Sequence, residues 1–162
     1  MARMVKSGNV DVITGDWLSE MNIAWNAIVK GDTDPDLGYE NGFYQQLEEC
    51  LNEIIVKGIK VVTNAGALNT LSLYSKAQDL CKARGYGDVV VAAVLGDDVA
   101  DVIKDSKRRN QLQFTTKNDP YIGCQGISKA SKGGASIVIC GRVTDASPVM
   151  GACAWYFGWH EE

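Results

Sequence analysis

Four short apolar runs punctuate the chain, at residues 10–14, 59–63, 89–95 and 137–140, and each stops at a polar turn rich in Gly, Asn or Asp. None alternates strongly, which is the pattern of strands buried on both faces. The run 89–95 reads as a helix by hydrophobicity alone, but its valines and the flanking Gly87 and Gly96 favour a strand. Amphipathic segments separate the runs. Trp17, Leu18, Met21, Ala24, Trp25 and Ile28 recur at helical spacing after Asp16, and the Gly, Asp and Pro cluster at 31–36 ends that segment. Residues 41–57 place Phe43, Leu47, Leu51, Ile54 and Ile55 on one face before Gly58, and residues 70–84 carry Leu73, Ala77 and Leu80 before Gly85. A short helix is predicted from about 98 to 104, a polar surface excursion over 105–120, and a helix over 121–132 closed by Gly133-Gly134. The last helix begins near Pro148, and its Trp155, Tyr156, Phe157 and Trp159 read as packing residues. Residues 1–9 read either as the tail of a helix leading into the first strand or as a ragged start.

Strands alternating with helices predict an α/β fold: a three-layer, Rossmann-like open sheet of about four mostly parallel strands, because parallel crossovers need the intervening helices. In such sheets ligands collect beyond the carboxyl ends of the strands. Those ends carry Gly15-Asp16, Asn64-Ala65-Gly66, Gly96-Asp97-Asp98 and the turn from Gly141 to Asp145. Four separate turns are therefore expected to share one rim.

Each candidate on that rim has a functional and a structural reading. Asp16 is a catalytic carboxylate or, more commonly for Asp after a strand, an N-cap. Asn64 and Gly66 either offer backbone N–H groups to an anion or form a tight turn that needs small residues. Asn69 binds substrate or caps the next helix. Asp97 and Asp98 form an acid–base pair if one is desolvated, or a solvated helix start if neither is. Arg142 is placed to grip a carboxylate or phosphate, with Asp145 orienting it or moving a proton; the alternative is an ion pair between the two. Thr144 and Ser147 brace the turn more readily than they act as nucleophiles, since no histidine stands near them. Lys104, Lys107, Arg108 and Arg109 either meet phosphates or form a solvated charge run.

Composition narrows the function classes. At 162 residues the chain is expected to be one α/β domain over 1–162, and 46% hydrophobic with 22% charged residues suits a globular protein. A net charge of −4 gives no reason to expect nucleic acid or an anionic membrane as partner. The five cysteines lack a C-x-x-C pair, which predicts reduced, buried thiols in a cytoplasmic protein. The one histidine, His160, lies three residues from the end, which argues against a His dyad or a His-rich metal site. No run approaches the length of a membrane helix, and no secretory pattern opens the chain.

The segments VDVITGDWLSEM, DPDLGYENGF, GIKVVTNAGALN, VVAAVLGDDV and GASIVICGRVTDASPVMG, with the closing FGW, carry a further likeness. In that order, over about residues 9–159, the chain resembles the amino-terminal domain of the acyclic terpene utilisation family; NAGALN and GRVTDAS are the specific pieces. The resemblance implies catabolism of acyclic isoprenoids such as citronellol or geraniol, handled as branched acyl-CoA thioesters. It also implies a further Gly-rich strand and helix before Val10 and more chain beyond Trp159. By that reading the chain is an excised part of a larger family domain. An open sheet edge is then expected, favouring a homo-oligomer or a partner chain that completes the sheet.

Three function classes follow. The first is an enzyme on a branched acyl-CoA or carboxylate, using carboxylates and Arg142 for lyase, hydratase or isomerase proton chemistry, with no certain cofactor and a CoA thioester as substrate. The second is a nucleotide-binding oxidoreductase module, for which Asn64-Ala65-Gly66 speaks, while the lack of G-x-G-x-x-G and Y-x-x-x-K speaks against it. The third is a non-catalytic oligomerisation or interaction domain.

Overall fold

The computed structural model describes residues 1–99 and 122–159. Its sheet has strands β1 (Val12–Gly15), β2 (Lys60–Thr63), β3 (Val91–Val94) and β4 (Ile137–Cys140) in the order β1-β2-β4-β3. All pairings are parallel, with Val12 opposite Lys60, Val61 opposite Ile137, and Val91 opposite Ile137. The expected parallel α/β sheet is therefore present, with β4 inside and β1 and β3 at the edges of the described sheet.

The uninterrupted apolar run at β4 has a direct cause. Successive strand side chains point to opposite faces, and both faces are covered. Ile137 and Ile139 join a core with Phe43, Leu47 and Leu73, whereas Val138 and Cys140 join a second core with Ile127 and Ala152. Helices α1 (Ala2–Ser7), α3 (Asn41–Val56) and α4 (Thr70–Ala83) build the first layer. Helices α5 (Gln125–Lys132) and α6 (Ser147–Tyr156) build the other, so three layers result. Phe43, Leu47, Leu51 and Ile54 of α3 are all fully buried. At roughly 1.5–3 kcal/mol for each such side chain, α3 is the main clamp on its face.

Helix α2 (Glu20–Ile28) departs from expectation in two ways. Its cap is Ser19, whose hydroxyl accepts from Asn22 N, and not Asp16. Its apolar stripe also faces out: Met21 is 78% exposed and Trp25 66%, while Asn26 is buried. The reason is polar anchoring. Asn22 Nδ2 donates to Trp17 O, and Asn26 Nδ2 donates to Asn22 O and to Glu40 Oε1 at 2.5 Å. These bonds satisfy the buried Asn26 amide, which unpaired would cost about 1–3 kcal/mol, and they hold the polar face of the helix inward.

Helix α5 starts at Gln125, later than the predicted 121, because Ile122 forms a parallel bridge with Val143. The aromatic tail after α6 is exposed instead of packed, with Phe157 at 63%. The short helix and polar excursion expected past residue 98, the basic residues within it and His160 lie outside the described residues. Among the described residues no helix is long and apolar enough to cross a membrane.

Candidate functional site

Parallel strands deliver all four exit turns to one edge, where they are stitched to one another. Thr63 Oγ1 donates to Gly15 O at 3.2 Å, and Gly66 N donates to Cys140 O at 3.0 Å, tying β2 to both neighbours. Asn64, fully buried, links the first two turns: its Oδ1 accepts from Trp17 N, and its Nδ2 donates to Asp16 Oδ1, both at 2.7 Å. Gly66 is demanded by packing. A Cβ there would lie 2.5 Å from Cys140 O and 2.6 Å from Thr70 Oγ1. Its N–H is thus committed inside the fold, as is that of Asn64, which points to Gly15 O.

The larger cleft, about 630 Å3, opens beyond β2, β3 and β4. Lys30, Asn69, Thr70, Asp97, Asp98 and Arg142 supply its polar lining, and Leu68, Leu71 and Leu95 its main apolar lining. Asp97 and Arg142 join the β3 and β4 turns: Arg142 N donates to Asp97 Oδ2 at 2.7 Å. The same carboxylate lies against Gly141, where any Cβ would overlap it. The Arg142 guanidinium donates to Leu18 O at 2.9 Å and lies 3.7 Å from Glu20 Oε1. Since the Glu20 side chain is 90% exposed, that ion pair contributes at most about 1 kcal/mol. Arg142 thereby holds the start of α2 against the rim. Its described ion-pair partner is Glu20, in place of the alternative pairing with Asp145.

Asn69 caps α4 by accepting from Ser72 N, and its Nδ2 donates to Pro35 O and Leu37 O at 3.1 and 2.9 Å. With Leu68 N on Gly38 O and Glu40 N on Ala65 O, it fastens residues 35–40 to the NAGALN turn. Asp16 and Asp145 line a second cleft of about 360 Å3 at the start of α2. Thr144 Oγ1 lies 2.5 Å from Ser147 Oγ and braces the entry to α6.

The four turns do share a rim, but α2 and the Arg142 side chain divide it. Asn69, Asp97, Asp98 and Arg142 meet in one cleft; Asp16 and Asp145 meet in the other; Asn64 and Gly66 lie buried between the turns. Sequence reasoning missed Lys30, Thr70 and the leucine wall, because they come from helix ends and strand-exit turns, where no period marks the face that lines a cleft. Cys140 lies under this site. Burial, with the nearby Asp97 charge adding to it, pushes its thiol up to about 12, so it is no nucleophile at neutral pH. Burial also pushes up the Cys50 and Cys81 thiols. Among the described residues no cluster of His, Cys, Asp or Glu is arranged to hold a metal ion.

The segments that carried the family likeness are thus the ones that meet at the rim: the 35–40 piece docks on NAGALN, and the GDD turn docks on GRVTDAS. A family model described as "Acyclic terpene utilisation family protein AtuA" matches residues 1–162. No curated protein and no solved structure matches the chain. The chain belongs to the acyclic terpene utilisation family AtuA.

Proposed function

We propose that the chain acts on a small branched acyl molecule of acyclic isoprenoid catabolism, a free carboxylate or its CoA thioester, in the cytoplasm. The reaction class is proton transfer, as in a lyase, hydratase or isomerase. One observation carries this reading: the larger cleft sets carboxylates and cations beside an apolar wall of Leu68, Leu71 and Leu95. A polar head and a branched hydrocarbon tail suit such a lining. Asp98, exposed at the open cleft, is the proposed acid or base once a bound ligand displaces water from it. Asp97, which holds the Arg142 backbone, keeps the turn in place. Asp16 and Asp145 would serve the second cleft.

The test is thermal denaturation with citronellyl-CoA, citronellate, free CoA and NAD(P). A ligand at a hundred times its Kd adds about 2.7 kcal/mol, which raises Tm by roughly 5–11 °C for a chain of this size. Stabilisation by the acyl ligands is the expected result; stabilisation by NAD(P) alone would overturn the reading. A second reading, an assembly domain, draws support from the exposed Met21, Trp25 and Phe157. Sedimentation of a stable oligomer that binds none of the four ligands would favour it.

A further inference from the structure

An anion entering the larger cleft needs a cation that is not already engaged. Arg142 is held by Leu18 O and Glu20, and its backbone N–H by Asp97. Lys30 differs. Its Nζ donates to one neutral carbonyl, Leu68 O, at 2.7 Å, and among the described residues it makes no ion pair. An ammonium carries three N–H groups, so two remain available at the lining of the cleft.

Local structure builds this placement. Helix α2 ends in a π-turn, Val29–Thr33, closed by Asp34 N donating to Val29 O at 3.1 Å. Such turns shift the register of a helix end and recur at functional sites. Here the turn sets Lys30 against Gly38. A Cβ at Gly38 would lie 2.9 Å from Lys30 Cδ, and its φ of +97° is one that L side chains rarely adopt. The aliphatic stem lies across that glycine, and Gly38 O is itself held by Leu68 N. The stem packs on that glycine and the head is held by one carbonyl, so part of the rotamer entropy is already lost before an anion binds.

We infer that Lys30 binds the oxyanion of the cleft's ligand and that Gly38 is its positioning residue. The inference rests on the small-molecule reading above. The oxyanion is either the carboxylate of a free acid or a phosphate of CoA, and the two sources are separable. Binding of citronellate, octanoate, citronellyl-CoA and citronellol is measured by calorimetry for the wild type, Lys30→Met, Lys30→Arg and Gly38→Ala.

Lys30→Met is expected to weaken the charged ligands at least tenfold while leaving citronellol unchanged, and Lys30→Arg to recover most of the loss. Gly38→Ala is expected to lower the citronellate-to-citronellol preference, which a merely destabilised fold would not do. A loss confined to citronellyl-CoA would assign the oxyanion to phosphate, and a loss with citronellate would assign it to carboxylate. Equal, Lys30-dependent binding of octanoate and citronellate keeps Lys30 and removes the isoprenoid reading. Binding of citronellate and of citronellyl-CoA that Lys30→Met leaves unchanged in both cases overturns the inference and keeps that reading. Failure of every charged ligand to bind the wild type overturns both.

Discussion

Replacing Asn64 by Asp tests how the first two strand exits are joined. The substitution puts an oxygen where Nδ2 now sits, 2.7 Å from Asp16 Oδ1. Two carboxylates that close cannot both ionise, so the pair retains a proton. With the introduced carboxyl protonated, its O–H donates to Asp16 and its other oxygen still accepts from Trp17 N. The new group's folded pKa is therefore raised above its unfolded value of about 3.9. Stability is then fully present below that value and is lost as pH rises toward the folded pKa. Raising the pKa by about 2–3 would correspond to roughly 3–4 kcal/mol. Asp16 is exposed, which screens its charge, so about 2–3 kcal/mol is the better expectation. For a chain of this length that lowers Tm by about 4–12 °C at pH 8. Paired melts of wild type and Asn64→Asp between pH 4.5 and 8 should show the gap widening with pH. Adding Asp16→Asn should close it again. A gap that stays flat across that range would refute the reasoning.

Other outcomes follow from the same contacts. Gly66→Ala drives a Cβ into Cys140 O and Thr70 Oγ1, and overpacking of this kind costs typically about 1–3 kcal/mol; chemical denaturation should show the loss without a change in slope. Arg142→Ala removes the strut to Leu18 O, so Tm should fall by roughly 2–8 °C for the ~1–2 kcal/mol of a partly exposed, charge-assisted hydrogen bond. A Tm unchanged in that variant would show that the strut carries no stability. Cys140, with its thiol at about 12 against about 8.5 unfolded, favours the folded state below pH 8.5, a contribution that is lost as pH climbs toward 12. Cys140→Ala should therefore show a shallower alkaline decline, and iodoacetamide at pH 7.5 should modify Cys124 and Cys153 before Cys140.

The sheet was legible above all at its inner strands, which are buried on both sides. Ile137, Val138, Ile139 and Cys140 are all buried, which leaves a continuous apolar run with no competing period. Helices α3 and α4 were legible for the complementary reason, since Leu47, Leu51 and Ile54 or Leu73, Ala77 and Leu80 each keep one face. The inward face of helix α2 was not legible, because its Met21, Trp25 and Ile28 stripe satisfies helical spacing as well as any core face does. Only the tertiary partners of Asn22 and Asn26 fix which side turns inward, and those partners lie at Trp17 and Glu40. The rim was legible as a place because parallel topology alone puts strand exits together. Its division into two clefts was not, because it depends on where the Arg142 side chain reaches. Lys30 stayed hidden for a similar reason: a π-turn has no signature distinct from an ordinary helix end.

The cleft beyond β2, β3 and β4 is the centre of this account, and amide chemical shifts during a citronellate titration test it most directly. The account predicts that the amides of Lys30, Gly31, Leu68, Asn69, Leu95 and Arg142 shift together with one saturating affinity, while those of α6 stay still. Shifts confined to Val149, Cys153 and Phe157 on the far layer, or none at saturating ligand, would contradict it.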